Sequence, residues 1–410
     1  MPEKSVELYR NTPVWNTFKN ITPHRELACD VPSVKCMEKG ITREGVVRSQ
    51  SAWEVAECPS WVTVTPSSSN DKKTEIKITV NANGGDTRDG RIVFRLKDYD
   101  YTTYTDVRQV TADVKEEQKF TLQTATEGTK AIPLFIVGEG YDADDIASGQ
   151  YLDDMKEQME HFFSIEPLKS YRSYFTVSTA IACSPESGID GLRKFVSENW
   201  WDKESDLVLD YARKYGVGIN GNEGNSTILV LRNSNRIGDN KTDIYYNDNR
   251  GLAVSWMAKS NEPYPFNQQG FILHELAGTA FGKLGPEHVN HFTFLNACQC
   301  GNCNMKVTYG HYRSLGWWQN VSNSNKLTDL PWYHLIFDEK YAQIVDAYEG
   351  ALNHSRGAYR SENASVMGNQ YIPYFNTISR EILVRRIMEA SGGKFDFITF
   401  KQNDKIEIPE

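Results

Sequence analysis

The sequence predicts two domains of different texture: an all-β sandwich of the immunoglobulin-like kind, then an α/β domain. Three observations carry this expectation. The chain has 410 residues, long for one domain. Residues 24–113 show short β-rich runs with period-two alternation between turn clusters. From residue 129 onward, apolar strands alternate with amphipathic helices.

Residues 1–23 form an N-terminal extension before the sandwich. Within 24–113, "SAWEVAECPSWVTVTPSSSN" gives β-rich runs around Trp53 and Trp61, broken by Pro59 and a Ser/Asn turn. In "TEIKITVNANGGDTRDGRIVFRL", Ile76, Ile78 and Val80 alternate, and the pattern resumes at Ile92 and Phe94 after a Gly-Gly turn. Residues 114–128 ("DVKEEQKFTLQTATE") read as a polar connector. The second domain, 129–410, opens with the buried strand "AIPLFIVGEGY". The helix "YLDDMKEQMEHFFSI" follows, with Met155, Met159 and Phe162 on one face. "STILVLRN" is a further strand, and "REILVRRIMEAS" is a C-terminal helix with Ile382, Leu383, Ile387 and Met388 inward. The Asn/Gly/Asp-rich stretch 220–270 reads as surface loops with no fixed spacing of calcium ligands.

Composition narrows the function classes. A net charge of −9 argues against nucleic-acid binding, which draws its affinity from cationic contacts to phosphates. No stretch approaches the roughly 20 apolar residues of a membrane span. The opening "MPEKSVELYR" lacks the basic start and apolar core of a secretory signal. Seven cysteines, an odd number at low density, do not make a disulfide scaffold.

The chemically informative stretch is "HELAGTAFGKLGPEH", His274 to His288. Leu273, Leu276, Ala277, Ala280, Phe281 and Leu284 fall at helix spacing. A zinc-peptidase helix of His-Glu-x-x-His type puts two imidazoles at i and i+4 on one face, with the Glu as general base for metal-bound water. Here position i+4 is Gly278. In a regular helix residue i+5, Thr279, is rotated by about 140° from His274. A π-bulge would return it toward the same face, and a glycine would ease that distortion. Beyond the helix, Glu287, His288 and His291 are candidate substitute ligands. Cys298, Cys300 and Cys303 have a Cys-x-Cys-x-x-Cys spacing compatible with a structural zinc or with a local disulfide plus one free thiol.

Two resemblances add to this reading. "W-E-V" at Trp53, "P-S-W-V-T-V-T-P" around Trp61, "I-T-V-N-A-N", "R-D-G-R-I-V-F" and "V-R-Q-V" occur in an order that resembles the BACON module, whose name implies sugar binding. Buried tryptophans would make the module a spacer; exposed aromatic faces would mark a sugar site. The second domain resembles the IgA-peptidase family of zinc metallopeptidases, a zincin-type α/β fold. His274, Glu275, Gly278, Phe281, Gly282, Lys283, Leu284 and Glu287 match a motif like H-E-x-x-G-H-x-F-G-K-L-x-D-E-Y. "IPLFIVGEGYDADDIASGQY", "FFSIEPLKSYRSYFTVSTAIACSPESGID", "YEGALNHSRGAYRSENASVMGN" and "FNTISREILVRRI" extend the likeness over roughly 125–395.

This second resemblance implies peptide-bond hydrolysis by zinc-bound water, with Glu275 as base, His274 as a zinc ligand and Met367 at a Met-turn-like position. It implies a protein or glycoprotein partner and export to the periplasm or cell surface. The chain departs from the pattern at the metal. Thr279 replaces the second histidine, Pro286 the expected aspartate, and His288 stands where a tyrosine usually sits. The reading is therefore a catalytically degenerate member retained for binding, with zinc absent or weakly held. The alternatives are an active metallopeptidase with altered ligands, or carbohydrate binding through the N-terminal module.

Overall fold

The computed structural model describes residues 6–18, 26–188, 204–234, 241–245, 251–260, 268–295 and 305–408. The chain divides into two compact units. The first holds Met1–Glu116 with Asp142–Ala147 and Cys183–Glu186; the second holds Glu117–Tyr141, Ser148–Ala182 and Ser187–Glu410.

Among the described residues, the first unit has nine strands in two sheets. β1 (Leu27–Cys29), β3 (Ile41–Ser49), β5 (Val62–Thr65) and β7 (Lys73–Val80) form an antiparallel sheet in the order β1-β3-β7-β5. β2 (Ser33–Cys36), β4 (Trp53–Glu57), β6 (Ser68–Ser69), β8 (Arg88–Leu96) and β9 (Thr102–Gln109) form the other, ordered β2-β9-β8-β4-β6. Only the β2–β9 pair in this second sheet is parallel. The alternation read in the sequence is the alternation of burial: in β7, Thr74, Ile76, Ile78 and Val80 are buried and the residues between them are not. Ile76, Ile78 and Val80 from one sheet meet Trp53, Ile92, Phe94, Leu96 and Val107 from the other in a single core.

The second unit centres on a six-stranded sheet ordered β10-β12-β11-β13-β15-β14. Its strands are β10 (Lys119–Gln123), β11 (Ile132–Glu139), β12 (Phe175–Ala180), β13 (Thr227–Arg232), β14 (Lys241–Tyr245) and β15 (Leu252–Ala258). The four inner strands run parallel, and both edge strands are antiparallel. Every residue of β11, β12, β13 and β15 is buried, as expected of parallel strands covered on both faces. On one face Phe135, Val137, Ile228, Val230, Val254 and Trp256 pack with Val208, Tyr211 and Ala212 of the helix Glu204–Tyr215. On the other, Phe162 at the end of the helix Gln150–Phe162 and Phe175 of β12 both meet Phe281, with ring centroids 6.3 and 5.2 Å away. Phe281 ends the helix that carries His274.

A smaller sheet contains β16 (His291–Phe294), β17 (Val321–Ser322), β18 (Tyr348–Ala351) and β19 (His354–Arg360), with β19 at its centre. A separate core gathers Leu330, Trp332, Leu335, Tyr341, Val345 and Phe400 around Ile378 and Val384 of the helix Thr377–Ala390.

The stretch expected as a connector contributes β10, which adds to the edge of the six-stranded sheet beside β12. Its residues are exposed or only partly buried, so the hydrophobic signal that marks the inner strands is weak there. Among the described residues no helix is long and apolar enough to cross a membrane.

Candidate functional site

The segment Gln268–Phe271 is α-helical and runs directly into a π-helix over Ile272–Phe281. Eight of those ten residues are buried, so the turn is held by packing on several sides rather than along one stripe. The wider winding is visible at its end, where the Gly282 amide donates to the Ala277 carbonyl, five residues back, at 2.9 Å. It brings Thr279 over His274. The Thr279 hydroxyl donates to the His274 carbonyl at 3.2 Å, so its oxygen is engaged by the helix backbone.

Gly278 has a steric reason. A Cβ at this position would stand 2.2 Å from the Met367 sulfur. Met367 is fully buried in a tight turn in which the Gly368 and Asn369 amides donate to the Ser365 carbonyl at 3.0 and 2.8 Å. The Met367 carbonyl accepts from the Glu287 amide at 2.9 Å. The Met-turn-like segment thus lies under both the His274 helix and the chain that follows it.

His274 is buried, and its Nδ1 lies 2.9 Å from the Val366 carbonyl oxygen. A carbonyl can only accept, so Nδ1 carries a proton. Glu275 is partly exposed, with Oε1 4.0 Å from that Nε2. The His288 ring centroid is 5.9 Å from the His274 ring at a 41° tilt. Burial holds the His288 pKa below its ordinary value, and the neighbouring His274 adds to the effect.

Glu287 points elsewhere. Its carboxylate is buried and accepts from Asn320 Nδ2 at 2.7 Å and from Asn376 Nδ2 at 2.9 Å on each oxygen. Burial raises its pKa to about 7, against the lowering effect of the two amides. Asn320 also brackets the backbone of Gly285, accepting from its amide at 2.7 Å and donating to its carbonyl at 2.9 Å. The Asn376 oxygen caps the helix Thr377–Ala390 by accepting from the Ser379 amide at 3.0 Å. Glu287 is therefore the hub of a structural network, not a ligand turned toward His274. Sequence reasoning missed this cradle. Asn376 was visible only as part of "FNTISR", and nothing around Asn320 marks it.

The resemblance implies zinc, and a catalytic zinc takes three protein ligands. His274 and His288 offer two imidazoles. Thr279 offers a neutral hydroxyl already committed to a carbonyl, Pro286 offers no side-chain donor, and Glu287 is held by amides. Among the described residues no group of three His, Cys, Asp or Glu is placed to hold a metal ion. The residues present do not fit a three-ligand zinc site. The side chain of His291 and the cluster Cys298, Cys300 and Cys303 lie outside what is described.

In the first unit, Trp53 is fully buried, its ring centroid 5.8 Å from Phe94. Trp61 is partly buried, and the Arg88 guanidinium lies over its ring at 4.3 Å. Trp53 has no exposed face, and Trp61 packs partly against the core of this unit. Trp15, Phe18, Tyr101 and Tyr104 are exposed aromatics of this unit; Tyr104, on the outer face of β9, is 53% accessible, with the Arg91 guanidinium 4.0 Å from its ring centroid. Arg91 in turn donates to Asp106 at 2.7 Å.

Residues 51–112 match the BACON family model, described as "Putative binding domain, N-terminal". No curated protein matches the chain. Among solved structures, a Bacteroides ovatus GH5 xyloglucanase in complex with a XXXG heptasaccharide is 12% identical, with 51% of this chain and 45% of that one covered and a TM-score of 0.21. The chain thus spans less than half the length of that enzyme. WR4, an MSP family member of C. elegans, is 15% identical over 22% of this chain and 100% of that one, with a TM-score of 0.17. A sialyltransferase from Photobacterium damsela is 10% identical over 50% of this chain and 37% of that one, with a TM-score of 0.15. Likenesses this weak carry no functional argument. No comparison supports a peptidase domain, so that resemblance rests on the sequence motifs alone.

Proposed function

We propose that this chain works by binding, not by hydrolysis. In this reading the first unit engages a carbohydrate, free or on a glycoprotein, and the second unit is a zincin-like frame whose metal site is incomplete. The BACON match over residues 51–112 supports the binding half. The observation that carries the non-catalytic half is the fate of the residue five positions after His274. Thr279 stands there with its hydroxyl bound to the His274 carbonyl at 3.2 Å. A neutral hydroxyl already used in this way does not replace an imidazole.

The platform proposed for the sugar is the outer face of β8 and β9, with Tyr104 as the stacking ring and Arg91 and Asp106 as polar neighbours. An aromatic flank with planar charged groups beside it suits the apolar face and hydroxyl edge of a pyranose. Export to the periplasm or cell surface belongs to this proposal through the family resemblance.

A second reading, an active metallopeptidase with altered ligands, is favoured by one observation: the His274 and His288 rings are 5.9 Å apart. Screening the full chain against a glycan array, alongside a peptidase assay on casein with and without added zinc, separates the two. Saturable glycan binding without proteolysis supports the proposal. Zinc-dependent cleavage lost in Glu275→Gln overturns it.

A further inference from the structure

Within the second unit, a cavity of about 350 Å³ opens beyond the end of the His274 helix. His274, Glu275 and His288 are not among its walls. Four basic side chains line it: Lys283, His334, Arg385 and Arg386. Two carboxylates, Glu381 and Glu389, line it as well. Trp318, Ile378 and Ile382 supply apolar wall.

The charges are not evenly paired. Glu381 is buried and accepts from His334 Nε2 at 2.8 Å and from Arg385 at 2.8 Å, so those three groups satisfy one another. Lys283 is buried, and among the described residues its ammonium donates to the Ala280 carbonyl and no carboxylate reaches it. The Arg386 Nε is buried without a hydrogen-bond partner among the described residues. Glu389, one turn along the same helix, is exposed and acts on Arg386 only through its charge. A buried guanidinium nitrogen left unmatched is costly.

Burial and the charge of Arg386 hold the Lys283 pKa well below its ordinary value, and burial brings Arg386 down to about 10. Both groups lack the negative charge that would stabilise their cationic forms.

We propose that this cavity binds a small oxyanion, a carboxylate or phosphoryl group on a compact apolar body, with Arg386 and Lys283 as its cationic partners and Trp318, Ile378 and Ile382 against the body. Arg386 presents the planar fork that matches such a group, and Lys283 adds a point charge. The volume lies at the small end of ligand pockets and suits a compact ligand. None of its walls belongs to the glycan platform or to His274, Glu275 and His288, so the proposal survives the loss of either reading.

The test is titration calorimetry of the full chain with four probes: acetate, inorganic phosphate, benzoate and phenyl phosphate. Saturable binding is expected for at least one anion type, with the aromatic member of that type bound more tightly than its inorganic or methyl counterpart. Arg386→Gln should weaken it at least tenfold. The exposed Arg385, already paired with Glu381, should tolerate Arg385→Ala with a change of no more than about threefold. If Arg386→Gln does not fold by circular dichroism, Ile382→Glu at the apolar wall replaces it and should abolish binding by filling the cavity with like charge. No saturable binding of any probe overturns the proposal. So does binding that is unchanged in Arg386→Gln, or in Ile382→Glu where that variant stands in.

Discussion

The Met367 sulfur occupies the space that a Cβ on Gly278 would need, 2.2 Å from where that carbon would stand. This contact ties the π-wound helix of His274 to the turn that carries the Val366 carbonyl, the acceptor for His274 Nδ1. Gly278→Ala should therefore destabilise the second unit by about 1–3 kcal/mol, the usual cost of overpacking. The double variant Gly278→Ala/Met367→Ala should lose less than the sum of the two single losses. Chemical denaturation of the single and double variants measures the coupling; additive losses would mean the two residues do not compete for this space.

Glu287 gives a pH dependence with a definite sign. Its folded pKa of about 7 lies above the unfolded value near 4.5, so the folded state holds this proton more tightly. Its contribution to stability is complete below pH ~4.5 and is lost as pH rises through about 7, on the order of 3 kcal/mol across that window. Glu287→Gln removes the titration, and its amide oxygen still accepts from Asn320 and Asn376. The stability of wild type relative to Glu287→Gln should fall between pH ~4.5 and ~7. Urea melts of both proteins across that range check it, and a flat difference would contradict it.

In the first unit, stability and binding should separate by residue. Trp53 is wholly buried, so Trp53→Ala should cost about 3–5 kcal/mol and act on binding only through unfolding. Tyr104→Ala removes an exposed ring and should leave the thermal midpoint nearly unchanged while lowering glycan affinity at least tenfold. Equal glycan binding by wild type and Tyr104→Ala would remove the platform from the account.

His288 titrates below its ordinary range because it is buried beside His274. Nuclear magnetic resonance titration of the imidazole protons should find His288 neutral at pH 7 and charging only in more acidic solution. In His274→Ala the lowering influence of the neighbouring ring is gone, and the His288 pKa should move upward. A His288 midpoint that stays fixed in the variant would mean the two rings do not interact.

The sequence made some of this legible and concealed the rest for identifiable reasons. Ile76, Ile78 and Val80 alternate in the chain and in burial because one face of β7 meets the core and the other meets water. "IPLFIV" is apolar throughout because β11 is covered on both faces. The inserted residue between His274 and Thr279 was readable as a wider helical turn, and Gly278 as a point of backbone freedom; its actual partner, Met367, lies 89 residues away and leaves no local mark. β10 falls in the stretch that reads as a connector because an edge strand with exposed residues carries little hydrophobic periodicity. Glu287 matches the motif beside the position of the expected ligand and reads as a substitute for it, yet its environment is set by Asn320 and Asn376, two residues brought in by separate segments. Burial and long-range amide contacts decide the chemistry of such a carboxylate, and spacing along the chain does not encode them.

The most direct test of the account is elemental analysis of chain purified without chelators, with wild type and His274→Ala measured in parallel. An incomplete ligand set predicts no stoichiometric zinc at His274, so the two proteins should carry the same amount. Equal zinc in both would place any metal elsewhere, with Cys298, Cys300 and Cys303 the first residues to replace. About one zinc per chain in wild type that disappears in His274→Ala would contradict the account and make the second unit a metallopeptidase domain with an altered ligand set.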